Sequence, residues 1–500
     1  MDDVEPSNDD AVARAVFHDE SLTPPLVFPR TLPEPTRREL LRRSVQIQAI
    51  AGKHFAGLAS RKVRRIDLPP HAWARPLRRT FEDLGATFVK FGQLVASAPG
   101  VFGDAVAGEF RDTLDTGPQT PWPEVREQVE HNIGMPLEKA FAKFERDPIG
   151  RASIAVVHRA ITTDGRQVAV KVLRPGIEHT VATDLALFGP LLAIVARETG
   201  DLTLTQMLQL LEGFKEQIGE ELDLRNEARA MHHYRRLLGF ADLPLVTVPE
   251  PDPLLSGPDV LTMELLDGVP IDDLTGIASF GYDPMPLVDQ VIRAFFVTTV
   301  RFGNFHGDIH AGNLLMLRDG RIGVLDWGIV GRLDAATHRF FRSLLEAALG
   351  DEQAWVAVAD HLTGQYGAAI KEGLGLSDDQ LPAFIRAVCE PILTQPFGEV
   401  SLGALLSLPQ TQAAQHRNID LEDKSLKGWY HRLREQRKVR DLLEAEGMNG
   451  VYDRGTFLLS KQLLYFERYG KMFLGDRSII EDRAFFVDLL AQPSTLDLPG

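Results

Sequence analysis

Asp308, Asn313 and Asp326 are the residues whose types and spacing point first to chemistry. They lie in FHGDIHAGNLLMLRDGRIGVLDWG, residues 305–328, where Asn313 follows Asp308 by five positions and Asp326 opens an Asp-Trp-Gly triplet. Phosphoryl transfer from ATP demands positioning and charge neutralisation more than covalent chemistry. A kinase-type site meets that demand with a catalytic-loop aspartate, an asparagine five residues on, a second metal-holding aspartate at the next strand edge and a strand lysine for the phosphates. All four occur here in order, with Lys171 of VAVKV as the lysine. On this reading Asp308 and Lys171 are catalytic, and Asn313 and Asp326 hold Mg2+ whose shell phosphates and water complete. The rival is a zinc site of His306, Asp308 and His310, which leaves the second aspartate unexplained.

The elements that must position these residues can be read from periodicity. Leu314, Leu317, Ile322 and Leu325 flank Asp319-Gly320 as a hairpin that delivers Asp326 beside Asn313. A second hairpin runs over residues 154–161 and 167–173 around Thr163-Asp164-Gly165, with Lys171 facing opposite to Val168, Val170 and Val172. A strand lysine held for phosphate needs an orienting carboxylate, and Glu221, Asp223 and Glu227 are the candidates. Asp223 and Glu227 are one turn apart and share a face. Residues 76–98 predict one helix with Leu77, Phe81, Leu84, Phe88, Phe91 and Val95 as its buried stripe, stopped by Pro99-Gly100. Gly85 and Gly92 inside it point to a close approach of some other group. DVLTMELLDG, residues 259–268, predicts a strand running into a linker. Strands first and helices after predict a two-lobed α+β protein.

Composition excludes several classes. With 500 residues, 44% of them hydrophobic, the chain can bury a large core, and the single Cys389 rules out a disulfide framework or multi-cysteine zinc site. The net charge of −16 argues against nucleic acid as a partner. Residues 1–36 carry eight acids against two arginines and predict an acidic disordered tail, whereas residues 37–79 hold twelve Lys plus Arg against two acids. That basic segment either lies on an anionic membrane surface or packs against acidic parts of the same chain. No signal peptide and no membrane-spanning run is apparent, so a cytoplasmic location, with or without peripheral membrane contact, is expected.

Several motifs in order resemble the UbiB (AarF/ADCK) family of atypical kinase-like proteins: KFGQ at 90–93, SIAVVHRA, VAVKVLRPG, EELDLRNEA, FHGDIHAGNLL and LDWGIVGRL. The resemblance spans roughly residues 80 to 345. It implies a two-lobed, protein-kinase-like fold with an N-terminal helical extension (37–145), an N-lobe (146–266) and a mostly helical C-lobe (267–500). It further implies that the extension helix folds over the active site, with Lys90 and Gln93 reaching into the nucleotide site, Gly92 as the close-approach position between them, and Glu221 and Asp223 as the ExD pair, Glu227 nearby. Lys171 would hold the α- and β-phosphates, oriented by Glu221 or Glu227. Ala152 and Ser153 would belong to the alanine-rich nucleotide loop, here Gly150-Arg151-Ala152-Ser153 where the family carries Ala-Ala-Ala-Ser, and the backbone of Met263, Glu264 and Leu265 would take the adenine. Trp327 replaces the usual phenylalanine.

A nucleotide loop with one glycine, Gly307 in place of an arginine and an early helix after Asp326-Trp327-Gly328 all disfavour an ordinary protein kinase. The expected protein is a Mg-ATP-dependent enzyme, an ATPase rather than a protein kinase, with a prenyl lipid or quinone precursor as partner. Two rivals stand beside it. One is a small-molecule phosphotransferase of the aminoglycoside or choline kinase type. The other is a non-catalytic, nucleotide-gated lipid carrier.

Overall fold

The computed structural model describes residues 25, 27–63, 71–96, 104–111, 119–199, 202–362, 375–377, 380–402, 405 and 454–497. Its larger sheet is antiparallel and built from β1 (Phe141–Phe144), β2 (Gly150–Arg151), β3 (Ala155–Thr162), β4 (Gln167–Leu173) and β6 (Val260–Glu264), in the order β1-β3-β4-β6 with β2 on β3. The hairpin predicted around Thr163-Asp164-Gly165 is β3–β4, and Gly165 takes φ +90° at its turn. Alternation along β4 then sorts the side chains. Val168, Val170 and Val172 pack under the Trp122–Ile133 helix, while Ala169 and Leu173 enter the main core and Lys171 points from between them.

A second sheet joins β5 (Val246–Thr247), β10 (Ile322–Val324), β9 (Leu314–Leu317) and β7 (Gly268–Pro270) in that order. Its β9–β10 pair is the hairpin expected around Asp319-Gly320, closed by Gly320 at φ +81°. A two-stranded ribbon, β8 (Asn304–His306) with β11 (Val330–Arg332), completes the lower part among the helices Met285–Phe302, Ala335–Ala348 and Arg454–Phe473. The α+β, two-lobed arrangement expected from the element order is the one the chain adopts.

The expected 76–98 helix is two helices, Ala74–Leu84 and Ala86–Ala96, separated at Gly85. Gly85 has φ +98° and ψ −158°, a region that only glycine enters without strain. A methyl group there would meet no atom within 4 Å, so Gly85→Ala isolates the backbone term. It is expected to cost about 1–3 kcal/mol in denaturant unfolding, with m unchanged. The buried stripe itself is present despite the break. Phe81, Phe88 and Phe91 surround Phe188 of the Ile177–Thr199 helix at centroid distances of 5.5, 4.9 and 4.9 Å. A methyl group at Gly92 would stand 3.1 Å from Phe110 and 3.4 Å from Phe81, so the close approach there is to this aromatic packing. Pro99-Gly100 lies outside the described residues.

The basic segment begins with the Arg37–Val63 helix, which Thr36 and Glu39 open as a reciprocal capping box. Arg43 reaches the fully buried Asp184 at 2.6 Å, and its other arm donates to the Leu84 carbonyl at 2.7 Å. Lys53 and His54 meet Asp83, and Arg75 and Arg78 meet Glu109. For these residues the packing reading of the segment holds. Among the described residues no helix is long and apolar enough to cross a membrane.

The expected disordered tail is corrected at its far end. Residues 1–24 and 26 lie outside the described residues, but 27–36 lie against the body. Phe28 exchanges two backbone bonds with the Asn226 side chain at 3.0 and 2.9 Å, Arg30 pairs with Asp259, and Arg229 lies 5.0 Å over the Phe28 ring. An acidic composition carried no information about these anchors, because they rest on an aromatic ring, backbone amides and one arginine.

Candidate functional site

Lys171 is the centre from which the site is built. β4 places its ammonium 2.9 Å from Glu227 and 3.1 Å from Asp326. Burial would lower the Lys171 pKa, but the two carboxylates outweigh it and hold the ammonium firmly protonated. Glu227 is supplied by the first turn of the Leu224–Phe240 helix, whose N-cap Asp223 accepts from the Arg225 amide at 3.1 Å. Burial raises the Glu227 carboxyl to about 7, an effect that Lys171 only partly offsets.

Glu221 does not orient Lys171. It ends a different helix, Leu202–Glu221, and pairs with Lys90 while accepting from Gln217 at 3.0 Å. Asp223 turns to Arg225. The break between the two helices at residues 222–223 separates Glu221 from Glu227, so that of the two carboxylates implied by the resemblance as orienters it is Glu227 that meets Lys171.

Asp326 follows β10 with φ +48°, a left-handed backbone that aspartate tolerates better than most side chains. Its side chain is 43% exposed to the adjoining cavity and lies well below the usual carboxylate range, because Lys171 and Lys90 outweigh the opposing effect of burial. Asn313 is brought alongside by the bond from the Leu325 amide to its carbonyl, 2.8 Å. Its side-chain amide donates to the Asp308 carbonyl at 2.9 Å, leaving Oδ1 as an acceptor for a cation. Asn313 Oδ1 and an Asp326 oxygen are the atoms that could hold a divalent ion, with the remaining positions left to ligand oxygens.

Among the described residues no group of three or more His, Cys, Asp and Glu side chains could hold a metal. The zinc alternative fails at the histidines. His306 Nδ1 accepts from the Asp308 amide at 3.0 Å, so Nε2 carries the proton that goes to the Leu325 carbonyl at 3.0 Å. Burial keeps that ring neutral. His310 Nδ1 is occupied by the Gly312 amide. Gly307 is explained by space, since a methyl group would stand 2.7 Å from Ile329 Cγ2.

Trp327 packs at 4.0 Å on Tyr234 of the Glu227 helix and at 4.5 Å on His306, with its indole N–H donated to the Val324 carbonyl. The ring that stands where phenylalanine is usual therefore ties the loop of Asp326 to the helix of Glu227.

Lys171, Asp308, Asn313 and Asp326 line one cavity of about 1190 Å³, which Lys90 and Gln93 roof from the Ala86–Ala96 helix. Ala152 also lines it, whereas Ser153 is buried below, its carbonyl held by Arg174 at 3.0 Å. Met263, Glu264 and Leu265 are not in its wall. The Glu264 amide donates to the Glu250 carbonyl at 2.8 Å and the Leu265 amide to the Gln167 carbonyl at 3.3 Å, so these two amides are already engaged.

The far wall is the Arg454–Phe473 helix, in which sequence reasoning found no motif. Lys461 lies 2.8 Å from Asp308 Oδ1, and Tyr465 one turn later donates to the same oxygen at 3.5 Å. Burial opposes ionisation of Asp308, but Lys461 and His310 outweigh it and hold its carboxyl below the ordinary range. Tyr469 anchors the helix to the catalytic loop through the Ile309 carbonyl at 2.7 Å. The i, i+4 spacing of Lys461 and Tyr465 puts them on one face, yet only the tertiary structure shows what that face meets.

Comparison with known proteins adds the following. The profile of the ABC1 atypical kinase-like domain matches residues 113–359. An uncharacterized aarF domain-containing protein kinase, chloroplastic, of Arabidopsis thaliana is 30% identical over 81% of this chain and 73% of its own length. An uncharacterized protein of Mycobacterium tuberculosis is 31% identical over 84% of this chain and 79% of its own. The probable protein kinase UbiB of Marinobacter nauticus is 30% identical over 69% and 62%.

Proposed function

Because this chain belongs to the UbiB (ABC1) family of atypical kinase-like proteins, we propose that it binds Mg-ATP and transfers the γ-phosphoryl group to water, acting as an ATPase in prenyl-lipid or quinone metabolism. The observation that carries this reading is the placement of Lys171 between Glu227 and Asp326, with Asn313 beside Asp326 and Asp308 across the same cavity. Lys171 would bind the α- and β-phosphates, Asn313 and Asp326 would hold Mg2+, and Asp308 would orient the attacking water. The magnesium ion, when bound, neutralises charge on the phosphate oxygens.

Two features favour an ATPase over a protein kinase. Lys90, Gln93 and Ala96 of the Ala86–Ala96 helix line the cavity, which would narrow it for a peptide, and β11 leads almost directly into the Ala335–Ala348 helix. A volume above the roughly 300–1,000 Å³ of ordinary small-molecule pockets leaves space beside a nucleotide, bordered by Phe110, Ile329, Leu464 and Met472, in keeping with an apolar second ligand. A cationic acceptor, as the choline-kinase-type reading requires, finds less support. Besides Glu227, Asp308 and Asp326, which meet Lys171 and Lys461, the acids of the wall are Glu220, Glu221, Asp223 and Glu467, paired with Arg454, Lys90, Arg225 and Lys471.

The test is ADP formation from Mg-ATP by the purified chain, with and without anionic liposomes containing a prenylated phenol. Turnover without a protein acceptor, raised by the liposomes and dependent on Mg2+, is the expected result. Nucleotide binding without ADP formation in either condition would leave the carrier reading in its place.

A further inference from the structure

We propose that Lys461 is a catalytic residue that binds the γ-phosphoryl group of ATP while holding Asp308 in place. The inference rests on the Mg-ATP reading above and adds a residue from the C-terminal helix to it. Lys461 is buried, lines the cavity, and stands 2.8 Å from Asp308 Oδ1. A nucleophile oriented by Asp308 sits about 2.6–3.2 Å from a carboxylate oxygen, which puts the Lys461 ammonium within reach of the phosphoryl group that this nucleophile attacks. An ammonium has three donors, and the bond to Asp308 uses one.

The other lysines and the arginine of the wall have other roles or partners. Lys171 is assigned above to the α- and β-phosphates, Lys90 pairs with Glu221, Arg468 with Asp272 at 3.3 Å and Lys471 with Glu467. Tyr469, bonded to the Ile309 carbonyl, and Tyr465, beside Asp308, fix the helix so that Lys461 cannot drift from the catalytic loop. In the transfer, the bond from the γ-phosphorus to the β–γ bridging oxygen breaks and that oxygen leaves with the electron pair on ADP. A bond from phosphorus to the attacking oxygen forms, and the proton of the nucleophile passes to Asp308 and on to solvent. Lys461 takes no part in the proton transfer and bonds the equatorial oxygens, where charge is spread in a loose transition state.

A lysine that merely neutralises Asp308 would treat ATP and ADP alike. A lysine on the γ-phosphoryl group separates them. The test therefore uses the full chain and its Lys461→Met and Lys461→Arg variants, with calorimetric titration of Mg2+ plus a β,γ-imido ATP analogue and of Mg-ADP, alongside ADP formation. Lys461→Met is expected to weaken the analogue about tenfold or more, leave Mg-ADP within twofold and lower kcat about 100-fold, and Lys461→Arg to restore analogue binding. If the Met variant does not fold, Lys461→Gln, which keeps a donor toward Asp308, replaces it. Equal weakening of both nucleotides, or of neither, overturns the assignment while leaving the Mg-ATP reading intact. Failure of the wild-type chain to bind either nucleotide overturns both, and wild-type binding without turnover leaves the titrations to decide Lys461.

Discussion

Asp326→Asn is expected to lower Mg-dependent ADP formation by about 100-fold or more while leaving the chain folded. The carboxylate is an anionic oxygen donor that lines the cavity together with Asn313. Its replacement by an amide removes a full negative charge from the metal position and from the Lys171 ammonium, 3.1 Å away. Asparagine is the substitution that best preserves the backbone, because it tolerates the left-handed φ of +48° at this position. Parallel assays of turnover against Mg2+ concentration and of thermal unfolding separate the two effects. Full turnover in the variant would remove Asp326 from the metal assignment, and a collapse in stability would show that the residue serves the fold first.

Lys171→Met is expected to abolish turnover and, separately, to destabilise the protein by about 3–5 kcal/mol at pH 8, because it strands Glu227 in the interior. The pH dependence has a definite sign. Glu227 has a folded pKa of about 7 against 4.5 for the unconstrained carboxyl, since burial outweighs Lys171. An acid raised in this way binds more protons in the folded chain, so its contribution to stability declines as pH rises from about 4.5 through 7. Without the ammonium the upper end of that window moves higher, and the penalty in Lys171→Met grows between pH 6 and pH 8.5. The Asp326 shift runs the other way, lowered by Lys171 and Lys90, and its contribution is lost only as pH falls below the ordinary aspartate value of 3.8. Melts of wild type, Lys171→Met and Lys171→Met/Glu227→Gln at the two pH values check this. The double variant should recover most of the lost stability and flatten the pH response, and a single variant whose penalty does not change with pH would contradict the argument.

What the sequence made legible was local. The Thr163-Asp164-Gly165 turn and strict alternation were enough to place Lys171 opposite to Val168, Val170 and Val172, because a period of two leaves no choice of face. Asp319-Gly320 likewise brought Asp326 beside Asn313. Gly85 and Gly92 look alike in the sequence, yet only Gly85 adopts a positive φ and breaks the helix, a difference set by how Phe81, Phe88 and Phe91 gather on Phe188. Choosing Glu227 over Glu221 required knowing that one helix ends at Glu221 and another begins after Asp223. Lys461 was out of reach altogether. Its partner Asp308 lies in a distant part of the chain, and no periodicity links the two.

The contacts of Pro25, Phe28 and Arg30 bear on the order in which the polypeptide can fold as it is made. Phe28 is synthesised well before Asn226, its partner, which lies 198 positions later, and Arg332, which binds the Pro25 carbonyl, lies 307 positions after that residue. A chain growing from its N-terminus must therefore carry this segment undocked until both have left the ribosome. Such contacts are among the most non-local in the molecule and the slowest to reward their own closure. This segment can thus dock only late in synthesis, against the helix that carries Asn226.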